Sequence, residues 1–399
     1  MASSVLKKSA KDIVILSALR TPVTKSVKGG LAQLFPEELL YHILRGSIEK
    51  SKVDLNLVDD ILVGAVLQTL GGQKASALAV KKAGFPIKTT VNTVNRQCGS
   101  SAQAITYSAG SILSGENQFA IAAGVESMTH DYFPHRGIPQ RIYQPFLESA
   151  DEEAKNVLMP MGLTSEAVAE KFGIGRKEQD EFALQSHLKA AKATESGHFA
   201  KEIVPVEARL PESDKTVLIS KDDGIRGSST IEKLSALKPV FKEDGATTAG
   251  NSSQISDGAS AVILTTRENA EKFGYKPKAR FIGSAVAGVP SGLMGIGPSA
   301  AIPQLLNRLG LATKDIDIFE LNEAFASQSI YCINKLGLDS SKVNPYGGAI
   351  ALGHPLGATG GRVTATLLNG LRAQNKELGV ISMCTSTGQG YAGLFANEE

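Results

Sequence analysis

Cysteine is scarce in this chain, with three among 399 residues, at positions 98, 332 and 384. So few and so widely spaced, they argue against a disulfide framework and for a reducing compartment. There is no CxxC pair and no HExxH, which removes the common zinc signatures. No apolar run reaches 18 residues, so no membrane span is expected. The opening residues, MASSVLKKSAKD, lack the apolar stretch of a secretory signal. A formal net charge of +2 gives no reason to expect nucleic acid, whose binding usually leaves a basic stripe.

What remains is ordinary in bulk, with 42% hydrophobic and 21% charged residues, as in soluble globular proteins. The length suggests two or three domains. Glycine, at 40 residues, points to close packing or many tight turns.

The chain repeats itself. IVILSA (13–18) and RFIGSA (280–285) each open a segment as a strand. VDDILVGAV, from Val58, and IDIFELNEAF, from Ile316, are strands introduced by acidic residues. TTVNTVNRQCGSS (89–101) and SKVNPYGGAIALGHPLGATGG (341–361) each read as strand, small-residue loop and helix. QFAIAAGVES (118–127) and LGVISMCTS (378–386) are apolar strands. The offset stays near 260 residues through all four pairs, which marks a duplication. Alternating strands and helices, with nearly continuous apolar strands, predict α/β halves whose sheets are covered on both faces. Residues 127–244 differ, with Pro, Arg and Lys clusters and a helical segment from Arg176 whose stripe is Phe182, Leu184, Leu188 and Ala191. HFAKEIVPVEARL and TVLISKDDGIR read as short strands, and SHLKAAKATESGH as a solvated face. GNSSQISDGASAVILTT (250–266) then returns to strand chemistry, so the stretch reads as an excursion inserted into the first half, and long excursions are usually functional.

Cys98 sits where the strand of VNTVNRQCGSSAQAITYSAGSI (91–112) meets a helix whose apolar face is Ala102, Ile105, Ala109 and Ile112. A helix N-terminus stabilises an anion and lowers a thiol's pKa, and the small residues after Cys98 predict an accessible sulfur. A buried structural cysteine is the competing reading. His354 lies in GGAIALGHPLGATGG, a glycine-dense loop at the same stage of the second half, so pseudo-twofold halves would set it across a shared interface from Cys98. A packed core histidine competes evenly in isolation. Cys384 ends a strand, and the carboxyl edge of an α/β sheet is where ligands bind. Together the three suggest a nucleophile, a base and a second acid/base. Asn322 follows a strand and, taken alone, reads as a helix cap. Cys332, near Phe325, Ile330 and Ile333, reads as core, and GIGPSA (295–300) and GIGR (173–176) read as turns.

NRQC (95–98), NEAF (322–325), GHPLGATG (353–360) and C-x-x-x-G-x-G (384–390) stand in the order and spacing of the thiolase family. The resemblance runs from Asp12 to nearly the last residue, and AGNSSQISDGA (249–259) and MPMGLTSE (159–166) add to it. The latter looks like the degradative 3-ketoacyl-CoA branch, including its peroxisomal enzymes. The short-chain acetoacetyl-CoA branch usually has a histidine where Pro160 stands. The resemblance implies an α/β thiolase fold, five-layered α-β-α-β-α, of two duplicated halves. The N-terminal half would be residues 1–126 and 245–275, the C-terminal half 276–399, and 127–244 an inserted loop domain that binds CoA. It implies a homodimer or homotetramer, with acyl-CoA and CoA as partners, CoA as co-substrate and no permanently bound cofactor.

By the same matching, Cys98 would be the acyl carrier and His354 its base. Asn322 would help His354 hold the enolate, Cys384 would be the second acid/base, and the backbone N–H groups of Cys98 and Ser386 would form an oxyanion hole. Arg226, Ser253, Met161 and Phe325 would line the CoA and acyl channel. The sequence departs from the family at Gly99, usually Ser or Ala, and after Cys384, where Ser386 fills a glycine's place and Gln389 follows Gly388. A backbone donor survives either change. The start lacks the R-L-x5-H-L presequence of many peroxisomal thiolases, and the ending ANEE is no peroxisomal address, which leaves peroxisome or cytoplasm. Among rivals, an acetoacetyl-CoA thiolase is nearest in activity. A decarboxylating condensing enzyme is disfavoured by Cys384 and the NEAF asparagine, a non-catalytic acyl-CoA-binding relative by the intact Cys98, His354 and Cys384, and a papain-like hydrolase by a duplication it would leave idle.

Overall fold

The computed structural model describes residues 5–132, 142–209 and 215–399. Among the described residues twelve strands are present: β1 (Ile13–Arg20), β2 (Thr24–Lys25), β3 (Asp60–Gly64), β4 (Thr90–Val94), β5 (Phe119–Ser127), β6 (Val206–Arg209), β7 (Thr216–Ile219), β8 (Ser256–Thr266), β9 (Ala279–Gly288), β10 (Ile318–Leu321), β11 (Leu378–Thr385) and β12 (Gln389–Asn397). The longer helices are α1 (Pro36–Ser51), α2 (Gln73–Lys82), α3 (Ser100–Leu113), α4 (Met161–Phe172), α5 (Arg176–Glu195), α6 (Gly297–Arg308), α7 (Ala326–Leu336) and α8 (Thr359–Gln374).

The duplication is visible in the pairing. One half orders its strands β4-β3-β5-β8-β1, and the other continues β9-β12-β11-β10. β3 runs parallel to β5 as β10 does to β11. β5 is antiparallel to β8 as β11 is to β12, and β8 to β1 as β12 to β9. Even β4 has a counterpart, a parallel bridge from Val343 to Phe319. The sheets meet where Ile13–Ile15 of β1 pairs with Ala279–Phe281 of β9.

Because strand side chains alternate, each sheet has two apolar faces to cover. Leu39, Leu40 and Ile43 of α1 and Val80 of α2 bury the outer face of the first sheet, with Ile61, Val63 and Ile263. Leu62, Val262 and Leu264 point the other way, onto Ala102, Ile105, Ala109 and Ile112 of α3, the face read from the sequence. Val363, Leu367 and Leu371 of α8 share that layer and also meet Phe281, Ile318 and Ile381 of the second sheet. Leu305 and Leu306 of α6 and Cys332 of α7 cover its far face. The result is five layers, α-β-α-β-α, with two helices sandwiched between the sheets.

Glycine makes the central layer possible. A Cβ at Gly360 of α8 would stand 2.2 Å from the backbone nitrogen of Ala102 in α3. One at Gly357 would stand 2.7 Å from the carbonyl oxygen of Gly64. The glycine-dense loop of His354 thus lies directly on the first half.

Between Ser127 and Ser256 the chain leaves the sheet to form α4, α5 and the separate β6–β7 ribbon. Leu210, in the second half of the expected β6 stretch, lies outside the described residues. The buried face of α5 is not the expected one. It carries Gln179, Asp180, Ala183, Ser186, His187, Ala190 and Ala193, while Leu188 is exposed and Phe182 and Leu184 only half-buried. The helix lies against polar, closely packed backbone: Ser186 Oγ donates to Glu323 Oε2 at 2.6 Å, and Gly347 nestles against the Ser186 carbonyl. Small and hydrogen-bonding residues fit that surface where leucine would not, so the 186–198 stretch is largely a packing face and not a solvated one.

Candidate active site

The first strand-to-helix join is strained. Gln97 holds φ at +48° immediately before Cys98, a region non-glycine residues seldom adopt and one that clusters at functional sites. The turn is tied by Asn95 Oδ1, which accepts from the Gln97 N–H, and by Ser100 Oγ, which accepts from the Arg96 N–H. It places Cys98 just ahead of α3, with Gly99 as the residue before the helix.

Cys98 is not accessible, as the small residues around it suggested, but only 8% exposed. What covers it comes from the other half. The Ser386 N–H points at its sulfur, Thr385 packs on Gly99, and Gln389 Oε1 accepts from Arg96. Burial outweighs the helix terminus, pushing the thiol up to about 12 instead of down. Hydrogen bonds from the N–H groups of Ser386 and of Cys98 itself oppose that rise without reversing it, and the charge of Glu126 adds to it. The resting sulfur is a thiol that already faces two backbone donors.

Cys384 is fully buried at the end of β11, where the charge of Cys98 disfavours its ionisation. Burial dominates there as well and raises its thiol well above the usual value. Around it pack Met294, Ala324 and Phe325, with Met161 at the rim. Phe325 therefore belongs with Cys384 and not with Cys332, which sits apart in the outer core.

His354 is buried at the start of the loop into α8, held by N–H bonds to the Gln254 carbonyl and Ser256 Oγ. Its Nδ1 lies 2.7 Å from Thr359 Oγ1, and its Nε2 has no protein partner among the described residues. Burial, with a smaller contribution from Arg362, lowers its pKa to about 3, so the ring is neutral near pH 7. Asn322 leaves β10 with its N–H on the Ser382 carbonyl, which ties it to the strand of Cys384. It is not a helix cap: α7 begins only at Ala326, after Phe325. Its Nδ2 is buried and, like His354 Nε2, without a protein partner among the described residues.

Of the remaining residues named from the sequence, Ser253 falls beside this centre and Arg226 is tied to α5 instead. Ser253 donates its N–H to the Ala324 carbonyl, beside the Cys384 cluster. Arg226 is exposed, and its backbone N–H donates to His187 Nδ1. His187 is held down to about 4, by burial first and then by Arg226 and Lys25. Gly173 and Gly175 punctuate the α4–α5 turn as expected, whereas Gly295 and Gly297 lie in a helical turn and at the start of α6. Arg362, Glu320 and Thr359 escaped notice in the sequence, although Arg362 stands only two residues beyond the GHPLGATG motif.

Two buried thiols, a neutral imidazole and a carboxamide, with two backbone N–H groups at one sulfur, are groups suited to acyl transfer through a cysteine. Family models agree: thiolase N-terminal domain matches residues 13–268 and thiolase C-terminal domain residues 275–397. The chain belongs to the thiolase family. It is 48% identical to rat peroxisomal 3-ketoacyl-CoA thiolase B over 97% of this chain and 91% of that one. The crystal structure of the dimeric peroxisomal thiolase of Saccharomyces cerevisiae superposes with a TM-score of 0.93 at 42% identity, covering 99% and 100% of the two chains. Human mitochondrial 3-ketoacyl-CoA thiolase, solved in complex with CoA, gives 0.87 at 34% identity, covering 98% of each.

Proposed function

We propose that this member of the family is a 3-ketoacyl-CoA thiolase, an acyltransferase that cleaves a 3-ketoacyl-CoA with CoA to acetyl-CoA and a shortened acyl-CoA. The identity to 3-ketoacyl-CoA thiolases over nearly the whole chain supports this substrate over acetoacetyl-CoA alone, as does Pro160 before Met161. The observation that carries the chemistry is the Ser386 N–H of the second half at the sulfur of Cys98 in the first, with the charge of Cys98 felt by Cys384.

The thiol of Cys98 and the neutral ring of His354 are far apart in proton affinity at rest. Proton transfer to His354 Nε2 therefore accompanies attack of the sulfur on the 3-keto carbon. As the carbonyl re-forms, the bond to the α-carbon breaks and its electron pair becomes the acetyl-CoA enolate. His354 Nε2–H and a water on Asn322 hold that oxygen. Cys384 gives its proton to the α-carbon, then recovers one from the incoming CoA thiol. The CoA sulfur attacks acyl-Cys98, the N–H groups of Cys98 and Ser386 hold the oxyanion, and Cys98 leaves, taking its proton back from His354.

Residues 127–244 are read as the loop domain between an N-terminal half of 1–126 and 245–275 and a C-terminal half of 276–399. Met161 and Phe325 beside Cys384, and Ser253 on the Ala324 backbone, suit the pantetheine end of the channel. Arg226, exposed and with a charge that acts on His187 as that of Lys25 does, suits the phosphates. Coenzyme A is a co-substrate here and no permanent cofactor is assigned. A homodimer suits β4, which is the last strand at its end of the sheet among the described residues. The peroxisomal names of the relatives support that compartment over the cytoplasm. The test is trapping with an acyl-CoA followed by peptide mapping. The acyl group is expected on Cys98, and a label only on Cys332 or Cys384 would overturn the mechanism.

A further inference from the structure

Two side chains on the first turn of α8 reach the two groups assigned to the enolate. Thr359 Oγ1 lies 2.7 Å from His354 Nδ1. Three residues on, and so on the same face of the helix, Arg362 Nη2 donates to Asn322 Oδ1 at 3.4 Å. Both are fully buried, and Nε and Nη1 of Arg362 have no protein partner among the described residues. A buried guanidinium is costly unless something balances it. Glu320, buried on β10 and on the same strand face as Ile318, which packs in the central layer, is the largest opposite charge acting on Arg362.

This arrangement has a consequence for direction. A carboxamide can flip, exchanging its acceptor and donor ends. A guanidinium offers only donors, so it selects Oδ1 at its side and turns Nδ2 away. A carboxylate in the same place would select the reverse. Nδ2 of Asn322 is the atom left buried without a partner, as is Nε2 of His354. A threonine hydroxyl, unlike a carboxylate or a guanidinium, can donate or accept. For Nε2 to take a proton, neutral His354 must carry its own on Nδ1, and the Thr359 hydroxyl can accept from that N–H in both protonation states, leaving Nε2 free to take a proton and then to donate it.

We propose that the first turn of α8 orients the enolate pocket, Arg362 fixing the Asn322 amide with its donor end inward and Thr359 partnering either protonation state of His354. Neither need touch substrate; both are positioning residues. The inference rests on the function proposed above, but it predicts something that function does not. His354 serves both halves of the reaction, whereas Asn322 serves only the enolate. Loss of Arg362 should therefore slow enolate chemistry selectively, and loss of the Thr359 hydroxyl should slow both.

The full-length enzyme is tested by two rates measured on each variant. One is acetyl transfer from acetyl-CoA to Cys98, by intact mass. The other is exchange of the acetyl methyl protons with solvent deuterium, by NMR. Arg362→Lys keeps the charge opposite Glu320 but loses the fork, and Glu320→Gln with Arg362→Met leaves no buried charge unpaired should Arg362→Met alone fail to fold. Both should lower exchange about tenfold, a charged hydrogen bond's worth, with acetyl transfer within a factor of two. Thr359→Val should lower both rates by similar factors, and Thr359→Ser should restore them. Unchanged exchange in the Arg362 variants, or an equal fall in both rates there, overturns the proposal. So does a Thr359→Val enzyme with normal rates, or a Thr359→Ser enzyme as slow as it. Failure of the unmodified enzyme to acetylate Cys98 would instead overturn the underlying mechanism.

Discussion

The two halves of the molecule share one strand order and differ in what joins the last two inner strands. In the second half β11 returns as β12 through residues 386–388, with Thr387 and Gly388 both at positive φ. In the first half the same return, β5 to β8, takes residues 128–255. The tight turn delivers Ser386 N–H to the Cys98 sulfur, and the long excursion brings α4, with Met161, to the same centre. A duplicated frame thus gives one half a tight turn with a backbone donor at Cys98 and the other a long excursion whose Met161 packs beside Cys384. The two strand-to-helix loops diverge in the same manner: the first ends in a thiol, the second in an imidazole.

The widest break in that comparison is expected at Cys384, the second half's own thiol. If each half supplies a separable function, Cys384→Ala should still accept an acyl group on Cys98. It should lose about 10²–10⁴-fold in turnover, the usual cost of a general acid/base. Mass spectrometry of the acyl-enzyme beside a thiolysis assay measures both. A variant that cannot be acylated would mean the two thiols act as one unit.

Much of this was legible in the chain. The strands β1, β3, β5, β9, β10 and β11 announced themselves because they are apolar and recur at a similar offset, and Cys98, His354 and Cys384 stood at joins where a sheet ends. The burial of Cys98 was not legible, because its cover comes from Thr385, Ser386 and Gln389, nearly three hundred residues away. The polar buried face of α5 defeated a reading based on apolar spacing, since Ser186 and Asp180 are buried for their hydrogen bonds. Arg362 and Glu320 went unread because local sequence does not reveal that both are buried and that each feels the other's charge.

A middle-sized effect tests which force governs Cys98, the helix terminus or the cover from the second half. Its thiol is raised to about 12, so between pH 6 and 9 the reactive thiolate should grow about tenfold per pH unit. The sign is that of a raised acid: neutral below the shifted value, charged only above it. Alkylation of the free enzyme by iodoacetamide, followed by peptide mapping of Cys98, should rise through that whole window. A plateau near pH 7 would mean that the helix terminus wins in solution and that the cover opens.

The smallest expected effect sharpens the contact between the halves at Gly99. Its φ of −92° is open to any residue, so backbone strain does not demand glycine there. Space does: a Cβ would stand 2.8 Å from Thr385 Cγ2, closer than carbon atoms normally approach. Thr385 is buried and its backbone leads directly into Ser386, whose N–H faces the Cys98 sulfur. An added methyl must either turn the Thr385 side chain or push that donor away. Overpacking of this kind costs about 1–3 kcal/mol when backbone moves and less when one side chain turns. Gly99→Ala should therefore fold normally and slow transfer from acyl-Cys98 to CoA by about three- to tenfold. Thr385→Ser removes the opposing methyl and should restore the rate in the double variant, although on its own it should change little. The measurement is single-turnover release of the acyl group across all four proteins of the cycle. If the double variant stays as slow as Gly99→Ala, the methyl contact is not what holds Ser386 in place, and the missing side chain at position 99 must act on the nucleophile's own turn.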